Sequence, residues 1–217
     1  MAGTGTRTLP IGAGRLVRWA AGFGERHGPV SVTVSPGAVD LSGRDGARAL
    51  LADPWDSWRP ADGVADPVGD LAAHVLAPRR VAALLVRRGG YACAVVDGGR
   101  VVASKVGTRY VQGRTAAGGW SQQRFARRRA KQTDELAGAA AEVAVRLLTG
   151  AADGAAPGWL VTGGDRPLLD AVLADPRLAV LRTAPRGVHL SIGDPRSDLV
   201  GQLPDLITQV RVTLTEP

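Results

Sequence analysis

Cysteine is almost absent from these 217 residues: Cys93 stands alone. It can form no disulfide within the chain, and its setting in "YACAVV" suits a small buried apolar residue, so no redox chemistry and no disulfide scaffold are implied. Histidine is scarce too. His27, His74 and His189 lie far apart without metal-ligand spacing, and neither a G-x-S-x-G elbow nor a Walker loop occurs. Metal and catalytic-triad chemistry are therefore not expected, and no cofactor is called for. Long apolar runs are missing as well. "AGAAAEVAVRLL" is broken by charge before the roughly 18–20 residues a membrane span requires, and no apolar block opens the chain as a secretion signal would. A cytoplasmic protein without membrane contact is expected.

Acidic residues are absent from one long stretch. Between Asp97 and Asp134 there is none, while Arg100, Lys105, Arg109, Arg114, Arg124, Arg127, Arg128, Arg129 and Lys131 contribute nine positive charges. The chain carries +7 in all, so the remainder nets 7 − 9 = −2. Only two lysines occur, and a bias toward arginine explains that choice but not 36 residues without a carboxylate. A basic field confined to one segment of a balanced chain points to a polyanionic partner, and nucleic acid is the reading preferred.

What is present reads as an α/β protein. Residues 12–26 have helical spacing and "VSVTVS" alternates as a strand, giving an N-terminal α/β portion over residues 1–75. Residues 52–70, rich in Pro and Asp, read as a linker or long loop. In residues 76–217, "VAALLVR", "YACAVV" and "RVVASKV" are separated by "RGG" and "DGG", glycine turns suited to an antiparallel meander. A long helix is expected from about Ser121 to Leu148, then a strand at "GWLVTGG", a helix capped by Asp165, a strand at "GVHLSIG", and a helix that Pro204 interrupts. The turn "VTGGDRP" has the composition of a phosphate-holding helix start, but a strand-to-helix junction needs the same glycines and Asp cap, and the structural reading is preferred.

The long helix divides in two. Leu136, Ala140, Val143 and Leu147 form a core-facing stripe in its second half. In its first half Phe125 is the one large apolar residue, and Arg124, Arg127, Arg128 and Lys131 follow at i, i+3, i+4 and i+7. Five positive charges near a helix N-terminus oppose the macrodipole, at a few tenths of a kcal/mol each, unless an anion lies nearby. Ahead of them stands "GRTAAGGWSQQRFARRR", residues 113–129.

This run resembles the GGQ loop and following helix of class-one eukaryotic and archaeal peptide release factors. Gly118, Gly119, Ser121, Arg124, Phe125, Ala126 and Arg127 hold the register. "YACAVVDGGRVVASKVG", "GWLVTGGD" and "VHLSIGDPRSDLVGQL" extend the similarity over roughly residues 78–208. Within that relationship the chain is most similar to the Vms-like release factor (VLRF) family of peptidyl-tRNA hydrolases, in its actinobacterial branch. The release-factor Gln position holds Trp120 here, and glutamines follow at Gln122 and Gln123. The resemblance carries the catalytic role to Gln122, with Gln123 second.

The resemblance implies a release-factor-like mixed sheet with packed helices, with peptidyl-tRNA and large-subunit rRNA as partners. The activity implied is hydrolysis of the ester joining peptide to tRNA on stalled ribosomes. A Gln side chain can donate and accept toward one water without bringing charge into a crowded RNA site, and Gly118 and Gly119 let backbone approach RNA closely. Trp120, whose indole is donor only, suits stacking on a base; Arg109, Arg114 and the stripe from Arg124 to Lys131 suit phosphate contact. Because the chain ends soon after this domain, codon-dependent termination is not expected. The protein is expected to be a monomer off the ribosome. Two rival activities stand beside hydrolysis: a nuclease cutting the tRNA acceptor end, and a non-catalytic ribosome-binding factor.

Overall fold

The computed structural model describes residues 5–108, 120–150 and 155–217, with backbone alone for 120–126 and 129. In chain order the elements are β1 (Thr6–Gly12), α1 (Leu16–His27), β2 (Val30–Ser35), β3 (Ala38–Gly43), β4 (Arg48–Ala52), α2 (Pro67–Leu76), β5 (Arg80–Arg87), β6 (Gly90–Asp97), β7 (Arg100–Thr108) and α3 (Trp120–Leu148). They continue as β8 (Trp159–Gly164), α4 (Arg166–Leu173), α5 (Ala179–Thr183), β9 (Arg186–Leu190), α6 (Ser197–Gly201), α7 (Leu203–Ile207) and β10 (Gln209–Thr215). The chain forms two compact units, one made of Met1–Ala77 with Asp205–Pro217, the other of Pro78–Pro204. Residues 205–217, expected to belong with 76–204, pack in the first unit instead, because β10 pairs with β1 and β4.

The sheet of the first unit has the order β1-β10-β4-β3-β2, antiparallel throughout. Period-two burial sets its faces: Val39, Leu41, Ala49, Leu51, Val210, Val212 and Leu214 are buried, while Leu50, between two of them, is 41% exposed. Leu16 and Phe23 of α1 and Leu71 and Val75 of α2 add to the buried residues. The stretch read as a linker is built into this unit. The Asp53 carboxylate accepts from the backbone N–H groups of Trp55, Ser57 and Trp58 at 3.0, 2.9 and 2.8 Å, and both indoles are buried. The Trp58 indole N–H donates to Asp70 at 2.8 Å, tying the loop to α2.

The sheet of the second unit has the order β7-β6-β5-β8-β9. The expected meander is present, since β6 pairs antiparallel with both β5 and β7, and β8 pairs parallel with both β5 and β9. Alternate residues Ala82, Leu84 and Val86 of β5 and Tyr91, Cys93 and Val95 of β6 join one buried cluster with Leu136, Ala137, Ala140, Ala141, Ala144 and Leu148 of α3. Alanine at so many contact positions lets the helix lie close to the sheet. The Cys93 thiol reaches to 3.9 Å from the Ala140 carbonyl oxygen. Of the expected stripe, Leu136, Ala140 and Val143 are buried and Leu147 is half-buried, its place taken by Leu148. Asp165 caps α4, accepting from the Leu168 N–H at 3.4 Å, and the helix expected around Pro204 is divided into α6 and α7.

Candidate functional site

Strand direction decides which residues share an edge. β8 and β9 run parallel to β5, and β7 runs the same way because it is antiparallel to β6, itself antiparallel to β5. The carboxyl ends of β5, β7, β8 and β9 therefore lie along one edge of the sheet. From that edge the chain leaves β7 at Thr108, and α3 carries it back toward the start of β8 at the opposite edge.

α3 is much longer than the strands it covers. Among the described residues, Leu136 is the first to be buried; Arg127, Arg128, Ala130, Lys131, Asp134 and Glu135 are exposed and Gln132 and Thr133 half-buried. At about 1.5 Å per residue, the 16 steps from Trp120 to Leu136 place the start of α3 roughly 24 Å from its first core anchor. Trp120, Ser121, Gln122 and Gln123 occupy its first turn, where backbone N–H groups have no partner within the helix. The helix begins one residue before the expected Ser121, so Trp120 belongs to it. Arg109, Arg114, Gly118 and Gly119 lie outside the described residues, and for Trp120, Ser121, Gln122, Gln123 and Arg124 the description is of the backbone alone.

The described part of the basic stripe lies at the surface. Arg127, Arg128 and Lys131 are exposed, and Lys131 Nζ lies 3.9 Å from Glu135 Oε1 one turn on, with both side chains more than half exposed. Such a pair contributes well under about 1 kcal/mol and leaves the ammonium available to an incoming phosphate.

Two glycines shape the approach to this edge. Gly107 of β7 faces Tyr91 of β6 in the ladder, and a Cβ on Gly107 would fall within the tyrosine ring. Gly164 ends β8 at φ +96°, where a Cβ would strike the Val86 carbonyl, and the Asp165 N–H donates to that carbonyl at 2.8 Å. The "VTGGDRP" turn thus has the strand-to-helix role read from its sequence.

Other reactive side chains are accounted for structurally. Burial pushes the Cys93 thiol up to about 12, so it is not a thiolate at neutral pH. Ser57 Oγ and an Asp53 carboxylate oxygen lie 3.0 and 3.4 Å from the same nitrogen of His74, Nε2. A hydrolytic triad needs serine and aspartate on opposite ring nitrogens, so this cluster braces the loop. No group of three metal-ligating side chains occurs among the described residues, and no helix there is long and apolar enough to cross a membrane.

A cleft that sequence reasoning missed lies in the second unit. It has a volume of about 290 Å³ and is lined by Thr162 of β8, Arg166 and Asp170 of α4, and Arg186 and His189 of β9, among others. These residues are brought together by the parallel pairing of β8 with β9, and nothing in their local sequence marked that pairing.

A family model described as Actinobacteria/chloroflexi VLRF1 release factor, acVLRF1, matches residues 79–213, well over half of the chain. The chain belongs to the acVLRF1 family. No curated protein matches it at a significant level. The VLRF resemblance read from the "GGWSQQRFARRR" run is borne out by this membership, and so is the release-factor-like α/β fold. As an acVLRF1 release factor the chain has a role in translation, and the match covers nearly all of the second unit together with most of β10.

Proposed function

We propose that this acVLRF1 chain is a peptidyl-tRNA hydrolase that frees nascent peptides from tRNA on stalled large ribosomal subunits. The observation that carries the reading is the first turn of α3. It sets Gln122 and Gln123 roughly 20 Å from the helix's first core anchor, ahead of exposed Arg127, Arg128 and Lys131. A long polar rod ending in a Gln pair suits reaching into an RNA-walled site while its cations follow the phosphate backbone.

In this mechanism Gln122 orients a water toward the ester carbonyl, its amide donating through nitrogen and accepting through oxygen, with Gln123 as the second candidate. The water oxygen bonds to the carbonyl carbon and the ester C–O bond breaks. The departing ribose oxygen takes up a proton, leaving a free peptide carboxylate and an intact tRNA acceptor end. Backbone N–H groups of the helix start stabilise the oxyanion, and Gly118 and Gly119 admit the close backbone approach. Fixing the water corresponds to an effective molarity of about 10⁵ M or more. Trp120 stacks on a base, while Arg109, Arg114, Arg124, Arg127, Arg128 and Lys131 contact phosphates. The protein acts in the cytoplasm as a monomer off the ribosome, with residues 78–204 as its catalytic portion.

The deciding experiment presents purified large subunits carrying peptidyl-tRNA to the full chain and analyses the tRNA. Released peptide with an intact acceptor end supports hydrolysis. A shortened acceptor end overturns it in favour of nuclease action, and bound but uncleaved peptidyl-tRNA in favour of a non-catalytic factor.

A further inference from the structure

We propose that the cleft between β9 and α4 is a second RNA contact, holding a backbone phosphate between Arg166 and Arg186. Both arginines line the cleft and both are exposed. No hydrogen bond or ion pair engages Arg166 among the described residues, although Asp170 stands one turn further along α4. Arg186 makes only a long contact of 3.5 Å to the Arg182 carbonyl. An arginine held at a cleft without a carboxylate partner is a donor fork awaiting an anion, and its planar geometry matches two phosphate oxygens.

His189 lies in the same lining. Its Nδ1 is 3.0 Å from Thr162 Oγ1, which fixes the ring. Burial lowers its pKa and Arg166 lowers it further, against an opposing hydrogen bond to the Gly164 backbone, so the ring is neutral at pH 7. The charged groups around it are Arg166 and Asp170 from α4, Arg186 from β9, and Arg87 and Asp165 at a smaller cleft of about 220 Å³ that His189 also lines. Among the described residues Asp170 is the one carboxylate lining the larger cleft. A phosphate seated between the arginines would offset the smaller part of that lowering, the part due to the charge of Arg166.

Place in the fold favours RNA over a small metabolite. Arg166 follows the carboxyl end of β8, and His189 is next to last in β9; both belong to the edge from which the chain leaves β7 toward residues 109–119 and α3, while Arg186 opens β9, so the cleft runs from that edge along β9. An RNA strand engaged by the start of α3 can therefore reach Arg166 at this edge and turn into the cleft toward Arg186. The cleft is also partly open and carries charged side chains beside Leu169 and Leu173, unlike the enclosed apolar pocket that holds a small ligand. The identity of the anion as RNA rests on the translation role above, but its test is a binding measurement independent of hydrolysis.

The probe is an unacylated tRNA acceptor minihelix with a single-stranded CCA end, titrated into the full chain at several salt concentrations. Arg166→Ala and Arg186→Ala are each expected to weaken binding about tenfold, as loss of one charge-assisted contact does. Each should lower the log–log salt slope by roughly one unit or slightly less, at unchanged melting temperature. Asp170→Asn should tighten binding. Arg100→Ala, on β7, the strand farthest from β9 in the sheet, should leave both affinity and slope as in the parent. The His189 ring, followed by NMR, should titrate at higher pH with the minihelix bound. Equal affinities and slopes for the two cleft variants and the parent would overturn the proposal, as would failure of the parent to bind. Displacement of the minihelix by adenosine monophosphate or inorganic phosphate at equal affinity would overturn it in favour of a small-anion site. Absence of peptide release alongside intact minihelix binding would count against hydrolysis and leave this contact standing.

Discussion

The ring of Tyr91 fills the space in which a side chain on Gly107 would begin. The two residues face each other across the β6–β7 ladder, next to the strand end from which the chain departs toward α3. Gly107→Ala must push the ring into a cluster already occupied by Leu136 and Ala140. Overpacking of this kind costs about 1–3 kcal/mol. Chemical denaturation of Gly107→Ala should show that loss, and Tyr91→Leu in the same background should recover part of it. A variant as stable as the parent would mean that the ladder yields without cost.

The chemistry assigned to α3 separates from its stability. Gln122→Ala is expected to abolish peptide release while leaving the melting temperature and large-subunit binding unchanged, because no core residue of α3 precedes Leu136 among those described. Gln123→Ala is expected to retain release. The reverse outcome would shift the catalytic role by one residue, and activity in both variants would sink the Gln-oriented water.

Salt dependence tests the exposed cations of the same helix. The double variant Arg127→Ala/Arg128→Ala should bind large subunits with a log–log salt slope lower by somewhat under about two units, the duplex-DNA value serving as a guide. Arg146→Ala, in the last turn of α3, should keep the parental slope. Matching slopes in all three proteins would show that this face is only solvated surface.

A pH effect follows from Arg177, which spans α3 and the turn after α4. Its guanidinium lies 2.6 Å from Glu142 and 2.7 Å from Asp175, holding the Glu142 carboxyl below its ordinary value and that of Asp175 at about 2. Both folded-state values are depressed, so the stabilisation is complete above the unfolded carboxylate range and is lost as pH falls toward 2. The melting temperature of the parent should drop more steeply than that of Arg177→Ala between about pH 5 and pH 2. Parallel curves would show that the exposed triplet contributes nothing.

Asp53 offers the largest expected effect in the first unit. Asp53→Ala leaves three backbone donors of the 53–58 loop without their acceptor, for an expected loss of about 3–5 kcal/mol given the cost of unpaired buried donors. Urea denaturation followed by tryptophan fluorescence reads this directly, since Trp55 and Trp58 are buried beside it. A loss below about 1 kcal/mol would mean that water replaces the carboxylate without penalty.

Local features of the fold were legible where local chemistry dictates them. The β5–β6–β7 meander follows from apolar stretches broken by Gly-Gly and Arg-Gly-Gly turns, the start of α4 from an Asp cap followed by proline, and the division of the last helix from Pro204. The Gln pair on the first turn of α3 was legible as a motif. The packed loop after Ala52 was not, because it has no periodicity and depends on one carboxylate gathering three N–H groups. The Arg166–Arg186 cleft was not, because its parts are joined only by parallel pairing between β8 and β9. Neither was β10, whose strand partners lie at the other end of the chain.

That last pairing sets an order on synthesis. Thr6 meets Thr215, 209 positions later, and among the described residues β1 has no neighbour in its sheet except β10. As the chain emerges, β2, β3 and β4 can form a three-stranded antiparallel arrangement by themselves, but β1 must wait as a lone strand until Pro78–Pro204 has been made. The continuous second unit can therefore fold first, and closure of the first sheet, a step of very high contact order, comes last. A chain halted anywhere before Gln209 leaves β1 and an edge of β4 unpaired, open strands of the kind that chaperones and proteases engage.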